Sequence, residues 1–209
     1  MKKFDPSLYF ITDSTNYTEE EFLDRVEQAL QGGVTILQLR EKNRSTREYM
    51  QLAEKVHAIA RRNSVPLIID DRVDVALAID AEGVHVGADD IPIATARKLM
   101  GNDKIVGATA KTVPWAKKAF EQGADYLGVG AIYPTTTKVK TVLTSVDTLK
   151  EIVKAVPIPV NAIGGLNKDN INILENTGIA GVCVVSAIMK ADNPQTAAKE
   201  IKDTLLSFK

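Results

Sequence analysis

The sequence predicts an α/β fold, a single (β/α)8 TIM barrel over residues 1–209, and two observations predict it. Short β-branched runs alternate with amphipathic segments from one end of the chain to the other, and there are eight such runs. Polar, chemistry-bearing residues then recur just after the runs, where a parallel barrel carries its reacting groups. The chain has 209 residues, shorter than the ~250 typical of such barrels, and a doubly wound open sheet is the competing arrangement. Neither leaves room for a domain boundary or a low-complexity linker.

In order along the chain, "SLYFIT" is the first strand and Thr18 to Gln31 the first helix, with Phe22, Val26, Ala29 and Leu30 on one face. Thr18 and Glu21 have the spacing of a capping box. The second strand, "VTILQLR", runs into "QLREK". Alternation sends Gln38, Arg40 and Lys42 to one side and Leu37 and Leu39 to the other. A half-exposed surface strand would give the same pattern. The second helix starts near Thr46 behind "STRE", and "PLIID", "GVHVG" and "KIVGAT" follow as strands three to five. Strand six, "YLGVGAI", enters "YPTTTK"; strands seven and eight are "IPVNAIG" and "GVCVVSA". Gly32, Gly101, Gly123 and Gly178 stand where helical segments end. The last helix opens with Asn193 as N-cap and Pro194 at the first helical position, where a missing N–H costs nothing.

Hydrophobic residues make up 44% and charged residues 25% of the chain, which excludes disordered and fibrous classes. A net charge of -1, with both signs mixed along the sequence, gives no general attraction to nucleic acid or membrane. A lone cysteine, Cys183, excludes an internal disulfide and a multi-cysteine metal site. In "MKKFDPSLYF", Asp5 and Pro6 interrupt any signal-peptide apolar region, and no run is long enough to span a bilayer. A cytoplasmic protein is expected; assembly as a homo-oligomer is left open.

The strand ends carry the chemistry. Gln38, Arg40, Glu41 and Lys42 follow strand two, Asp70 and Asp71 strand three, Asp89 and Asp90 strand four. Strand five ends at Thr109, strand six leads to Lys138, Gly164-Gly165 follow strand seven, and strand eight delivers Val185-Ser186. Singly, a glycine pair is usually a turn, an aspartate pair a cap and a loop lysine a solvated group. Together on successive strand ends they point to phosphate chemistry. Gly165 with the backbone at Val185 and Ser186 suits one monophosphate. Arg40, Lys42 and Lys138 are cations in excess of that need, and nearby carboxylates would repel an anion unless a metal lay between. Mg²⁺, which takes hard oxygen ligands and substrate phosphates, fits, so a second, metal-bound polyphosphate is implied.

The segments "QLREK", "DDRVDVALAIDAEGVHVG", "GADDIP", "GVGAIYPTTTK", "AIGG" and "VVSAI" together resemble the thiamine phosphate synthase family, in order and over nearly the whole chain. The resemblance implies a (β/α)8 barrel joining 4-amino-2-methyl-5-pyrimidinylmethyl diphosphate to 4-methyl-5-thiazoleethyl phosphate, or its carboxylated form. Thiamine phosphate and diphosphate are the implied products, by a Mg²⁺-dependent dissociative route with no covalent enzyme intermediate. It implies that Gln38, Leu39, Arg40, Glu41 and Lys42 bind the pyrimidine diphosphate, with Arg40 and Lys42 on its phosphates, and that Asp71 and Asp90 hold Mg²⁺. Asp70 falls at a position touching the same substrate, and Thr109 at a hydroxyl position facing the diphosphate. Thr135, Thr136 and Thr137 match a loop on the thiazole substrate, and Lys138 turns back to the leaving diphosphate. By the same resemblance Gly165, Val185 and Ser186 would close on the thiazole's phosphate. The resemblance thus implies Arg40, Lys42 and Lys138 as the catalytic cations. The chain departs from the family at Asp70, usually Asn, at Lys140, usually Asp, and at Ala88, usually Gln.

Two alternatives share the barrel. A thiazole tautomerase-like isomerase would want an acid-base group near the thiazole, yet "TAKT" puts Lys111 after strand five, and the cations and aspartates would have no purpose. A non-catalytic phosphate-binding barrel would bind without releasing diphosphate. Other residues read as structural: His85 as a filler of the barrel or partner to a neighbour, His57 as a surface group, Cys183 as inert core, Trp115 as packing.

Overall fold

The computed structural model of the chain describes residues 4–135 and 142–208. Eight short strands carry the fold: β1 (Leu8–Ile11), β2 (Ile36–Leu39), β3 (Leu67–Asp70), β4 (Gly83–Val86), β5 (Ile105–Ala110), β6 (Tyr126–Gly130), β7 (Val160–Ile163) and β8 (Gly181–Val184). Each pairs in parallel with the next, and β8 pairs with β1, so the sheet closes. Around it lie α1 (Glu19–Gln31), α2 (Thr46–Arg62), α3 (Val73–Ala78), α4 (Ile93–Met100), α5 (Val113–Glu121), α6 (Val146–Ala155), the short α7 (Ser186–Met189) and α8 (Pro194–Leu206). The open-sheet alternative is excluded.

Two apolar layers result from strand alternation. Side chains such as Leu37, Leu39, Leu67 and Ile69 pack outward against the helices, whereas Tyr9, Ile11, Ile36, Ile68, Ile105, Tyr126 and Cys183 fill the barrel. Helix starts follow local chemistry. Reciprocal capping boxes form at Thr18 with Glu21 and at Ser45 with Glu48, and the Asn193 side chain accepts from the Thr196 N–H. At the first helix end, Gly32 remains helical (φ -75°) and Gly33 takes the left-handed conformation (φ 102°). A side chain on Gly32 would meet the Gln195 carbonyl oxygen at 2.3 Å, so this glycine serves the contact with α8.

Two sequence expectations are corrected. The segment before Gly178 is only a 3-10 turn, Ile171–Leu174. Its approach is taken by side chains that bond the backbone locally: Asn170 Oδ1 accepts from Asn167 N (2.8 Å) and Asn167 Oδ1 from Asp169 N (2.9 Å), competing with helical pairing. His57 is buried, 4% exposed, with Nε2 at 3.1 Å from Glu82 Oε1. The charged neighbours in sequence point away on other faces of α2; the histidine faces inward with Val56 and Ala60. Among the described residues no helix is long and apolar enough to cross a membrane.

Candidate active site at the mouth of the barrel

A cavity of about 410 Å³ opens at the C-terminal strand ends, within the size range of small-molecule sites. Gln38, Arg40 and Lys42 line it, as do Asp70, Asp71, Asp90 and Thr109, so residues from β2 to β5 share one wall. Thr135, Gly165, Val185 and Ser186 line the other side. Leu39 and Glu41 alternate away from it. Leu39 is sealed in the outer layer, and Glu41 Oε2 accepts from Ser14 Oγ and Arg44 Nε, both at 3.0 Å. Thr136, Thr137, Lys138 and Lys140 lie outside the described residues.

Charge at this wall is arranged around Lys42. Its Nζ stands 2.8 Å from Asp70 Oδ2 and also donates to Asp71 Oδ2; Arg40 Nε is 3.8 Å from Asp70. Burial pushes the Asp70 pKa up to about 6; the charge of Asp71 adds to this, and Lys42 and Arg40 oppose it. Its Oδ2 is sealed from solvent without an aligned hydrogen bond, close though Lys42 is. Burial opposes the charge on Lys42, but the two aspartates outweigh it and raise the pKa.

Asp71 is held in the left-handed region (φ 61°), its N–H donating to the His85 carbonyl oxygen at 2.8 Å. Aspartate tolerates that conformation better than most residues, and here it turns the carboxylate toward the mouth. Asp90 folds back so that Oδ2 accepts from Gly87 N at 2.7 Å. A β-carbon on Gly87 would lie 2.9 Å from that oxygen. The carboxyls of Asp71 and Asp90 stand near enough for each to shift the protonation of the other. Burial works against the charge of Asp71, yet bonds from Lys42 and Asp90 win and lower its pKa; Asp90 is raised by burial and by Asp71. Such a pair needs a proton or a cation between its oxygens. Among the described residues no group of three or more His, Cys, Asp or Glu is placed to hold a metal. Two hard carboxylates suit Mg²⁺, which completes its shell with water and substrate phosphates.

Opposite, Gly164 (φ 102°) and Gly165 (φ 64°) form a bend no other residue fits. An added β-carbon would lie 2.4 Å from Ala131 Cβ at Gly164 and 2.7 Å from the Pro134 carbonyl oxygen at Gly165. Asn170 Nδ2 donates to the Gly165 carbonyl at 2.9 Å and steadies the bend.

Residues 8–188 match the sequence family described as thiamine monophosphate synthase. The chain belongs to the thiamine monophosphate synthase family. It is 50% identical over 201 residues to the thiamine-phosphate synthase of Methanobrevibacter smithii, covering 96% of each chain. It is 54% identical over 186 residues to thiamine-phosphate synthase 2 of Streptococcus pneumoniae, covering 89% of each. Among solved structures it resembles the thiamine phosphate pyrophosphorylase of Pyrococcus furiosus, with TM-score 0.88, 38% identity, and 97% and 96% of the two chains covered. The chain is thus a transferase enzyme of thiamine biosynthesis.

For this family member the cavity also takes residues that strand-end inspection misses. Tyr9 and Ile11 reach it from β1, and His85, Lys111 and Cys183 line it too. The inward register of "LYFI" was the available signal for Tyr9. His85 does bond its neighbours, with Nδ1 at 3.0 Å from Tyr126 Oη and Nε2 at 3.0 Å from Thr109 Oγ1. Cys183 is fully buried and its thiol pKa is pushed far up by burial, so it lines the wall as an inert group.

Proposed function

We propose that this synthase joins 4-amino-2-methyl-5-pyrimidinylmethyl diphosphate to 4-methyl-5-thiazoleethyl phosphate, or its carboxylated form, by dissociative substitution in the single barrel domain of residues 1–209. The observation carrying this reading is the shared wall: Arg40, Lys42, Asp70, Asp71, Asp90 and Thr109, from four neighbouring strands, line one cavity. Arg40 and Lys42 bind the diphosphate and stabilise the charge that grows on it as the carbon–oxygen bond breaks. Gln38 orients the pyrimidine, and Thr109 donates to a phosphate oxygen. Asp71 and Asp90 would hold Mg²⁺, which when bound neutralises diphosphate charge. Lys42, engaged by Asp70 and Asp71 in the free protein, exchanges those partners for the substrate. Gly165, Val185 and Ser186 hold the thiazole's phosphate, with Thr135, Thr136 and Thr137 beside it, and Lys138 joins the cations on the leaving group. The thiazole nitrogen attacks the freed pyrimidinylmethyl cation, and closure against water protects that cation.

Incubation of the purified protein with both substrates and Mg²⁺ is expected to yield thiamine phosphate and diphosphate in equal amounts. Conversion of the thiazole phosphate alone into an isomer, with no diphosphate released, would instead favour the tautomerase-like reading.

A further inference from the structure

Inside the barrel, five side chains form a continuous series of contacts from Gln38 to Thr109. Gln38 Nε2 is 2.7 Å from Tyr9 Oη, which is 2.7 Å from Tyr126 Oη; Tyr126 Oη is 3.0 Å from His85 Nδ1, and His85 Nε2 is 3.0 Å from Thr109 Oγ1. We propose that this is a one-way hydrogen-bond chain, running from Gln38 to Thr109, which makes Tyr126 and His85 positioning residues that fix Thr109 as a donor toward the cavity. The inference rests on the proposed diphosphate-binding role of that wall.

The direction follows from the orientation of the Gln38 amide, whose Nε2 faces Tyr9, and from proton counting along the rest of the series. An amide N–H can only donate, so Tyr9 accepts from Gln38. Tyr9 has one proton, which goes to Tyr126, and the single proton of Tyr126 goes to His85 Nδ1. A neutral His85 then carries its proton on Nε2 and donates to Thr109 Oγ1. With that oxygen accepting, the hydroxyl proton of Thr109 is left to point into the cavity, at a phosphate oxygen. Rotating the Gln38 amide by half a turn reverses every bond. Thr109 would then spend its proton on His85 and turn lone pairs toward an anion, a repulsive arrangement beside a diphosphate.

The surroundings are built for the chain. Both phenols are at most 1% exposed, and burial raises both pKa values, so each retains the one proton the counting needs. Tyr126 does not line the cavity, so it reaches a substrate only through its partners. Its ring occupies space left by Gly107, where a β-carbon would lie 2.1 Å from Tyr126 Cζ. Tyr9 and Phe4 meet the same ring edge-on, at centroid separations of 5.6 and 5.8 Å, and fix its plane.

Nitrogen-15 NMR reads the direction without reference to activity. The chain has two histidines, so a His57→Gln variant assigns the His85 ring signals. At about pH 7.5 the expected state is a neutral ring protonated on Nε2; a ring protonated on Nδ1, or on both nitrogens, overturns the chain. In kinetics, Tyr126→Phe is expected to lower kcat/KM for the pyrimidine diphosphate about tenfold while leaving KM for the thiazole phosphate within about twofold. Thr109→Ser retains the donor and should stay close to wild type, whereas Thr109→Val should lose as much as Tyr126→Phe. Combining Thr109→Val with Tyr126→Phe should lose little more than either alone; fully multiplied losses would overturn the coupling. A wild-type protein that makes no thiamine phosphate would overturn the proposed function, while the ring measurement would still decide the chain on its own.

Discussion

Arg40 is the residue on which the proposed chemistry leans most. Its guanidinium stands at the cavity wall, 3.8 Å from Asp70, and lines the cavity together with Gln38 and Lys42. Arg40→Ala is expected to lower kcat roughly a hundredfold, the usual effect of removing one preorganised contact to a developing anion. Arg40→Lys should recover little, because a point charge replaces a two-pronged donor. Steady-state rates with both substrates check this, and an unchanged melting temperature would show that the loss is chemical. Asp70→Asn removes one of the two carboxylates engaging Lys42, so a severalfold lower KM for the pyrimidine diphosphate is expected from the same assay. The inward set of Gln38, Arg40 and Lys42 was legible in the sequence because strand alternation has a period of two and needs no tertiary information. The left-handed turn at Asp71 and the fold-back of Asp90 onto Gly87 were not. Both depend on where the next strand runs, and residue type alone does not specify that.

At the scale of elements, α2 is tied to the barrel through buried His57 and Glu82. The same carboxylate accepts the Leu67 N–H at 2.9 Å, so one side chain joins α2, β3 and the approach to β4. His57→Ala is expected to cost about 2 kcal/mol, from lost packing and an unpaired neighbour, and to lower the melting temperature by roughly 4–8 °C. kcat should stay near wild type, since neither partner lines the cavity; thermal melts beside kinetics give both readings. A second element-scale expectation concerns the bend after β7. Gly164→Ala forces a β-carbon onto Ala131 and a side chain into φ 102°, so KM for the thiazole phosphate should rise about tenfold or more. Strands, capping boxes and the Pro194 helix start were readable because each has a local cause. The 3-10 turn at Ile171–Leu174 was harder, since asparagine side chains in "NKDN" replace helical bonds with local ones. His57 stands at helical spacing from Ala53 and Ala60 on the buried face of α2, but its polar type among charged sequence neighbours gives it the look of a surface group.

For the whole molecule, closure of β8 against β1 is what gathers distant residues: Gln38 and Ser186, far apart in sequence, line one cavity. The alternation of strand and helix made the barrel legible, but pairing across its interior, such as Tyr9 with Tyr126, was invisible to any local pattern. Nothing in the run "YLGVG" distinguishes a tyrosine facing a helix from one facing another tyrosine. The site as a whole joins cations to the Asp71 and Asp90 carboxyls, and the proposed function assigns those two carboxyls a divalent ion that shares the neutralisation of the diphosphate with Arg40 and Lys42. The most direct measurement is therefore the rate of thiamine phosphate formation as Mg²⁺ is titrated into chelator-treated protein, for the wild type and for Asp90→Asn. Negligible turnover without metal, saturable activation by Mg²⁺, and a shift of that activation to at least about tenfold higher Mg²⁺ in the variant are predicted. Full turnover in excess chelator, or identical activation curves for the two proteins, would contradict the account.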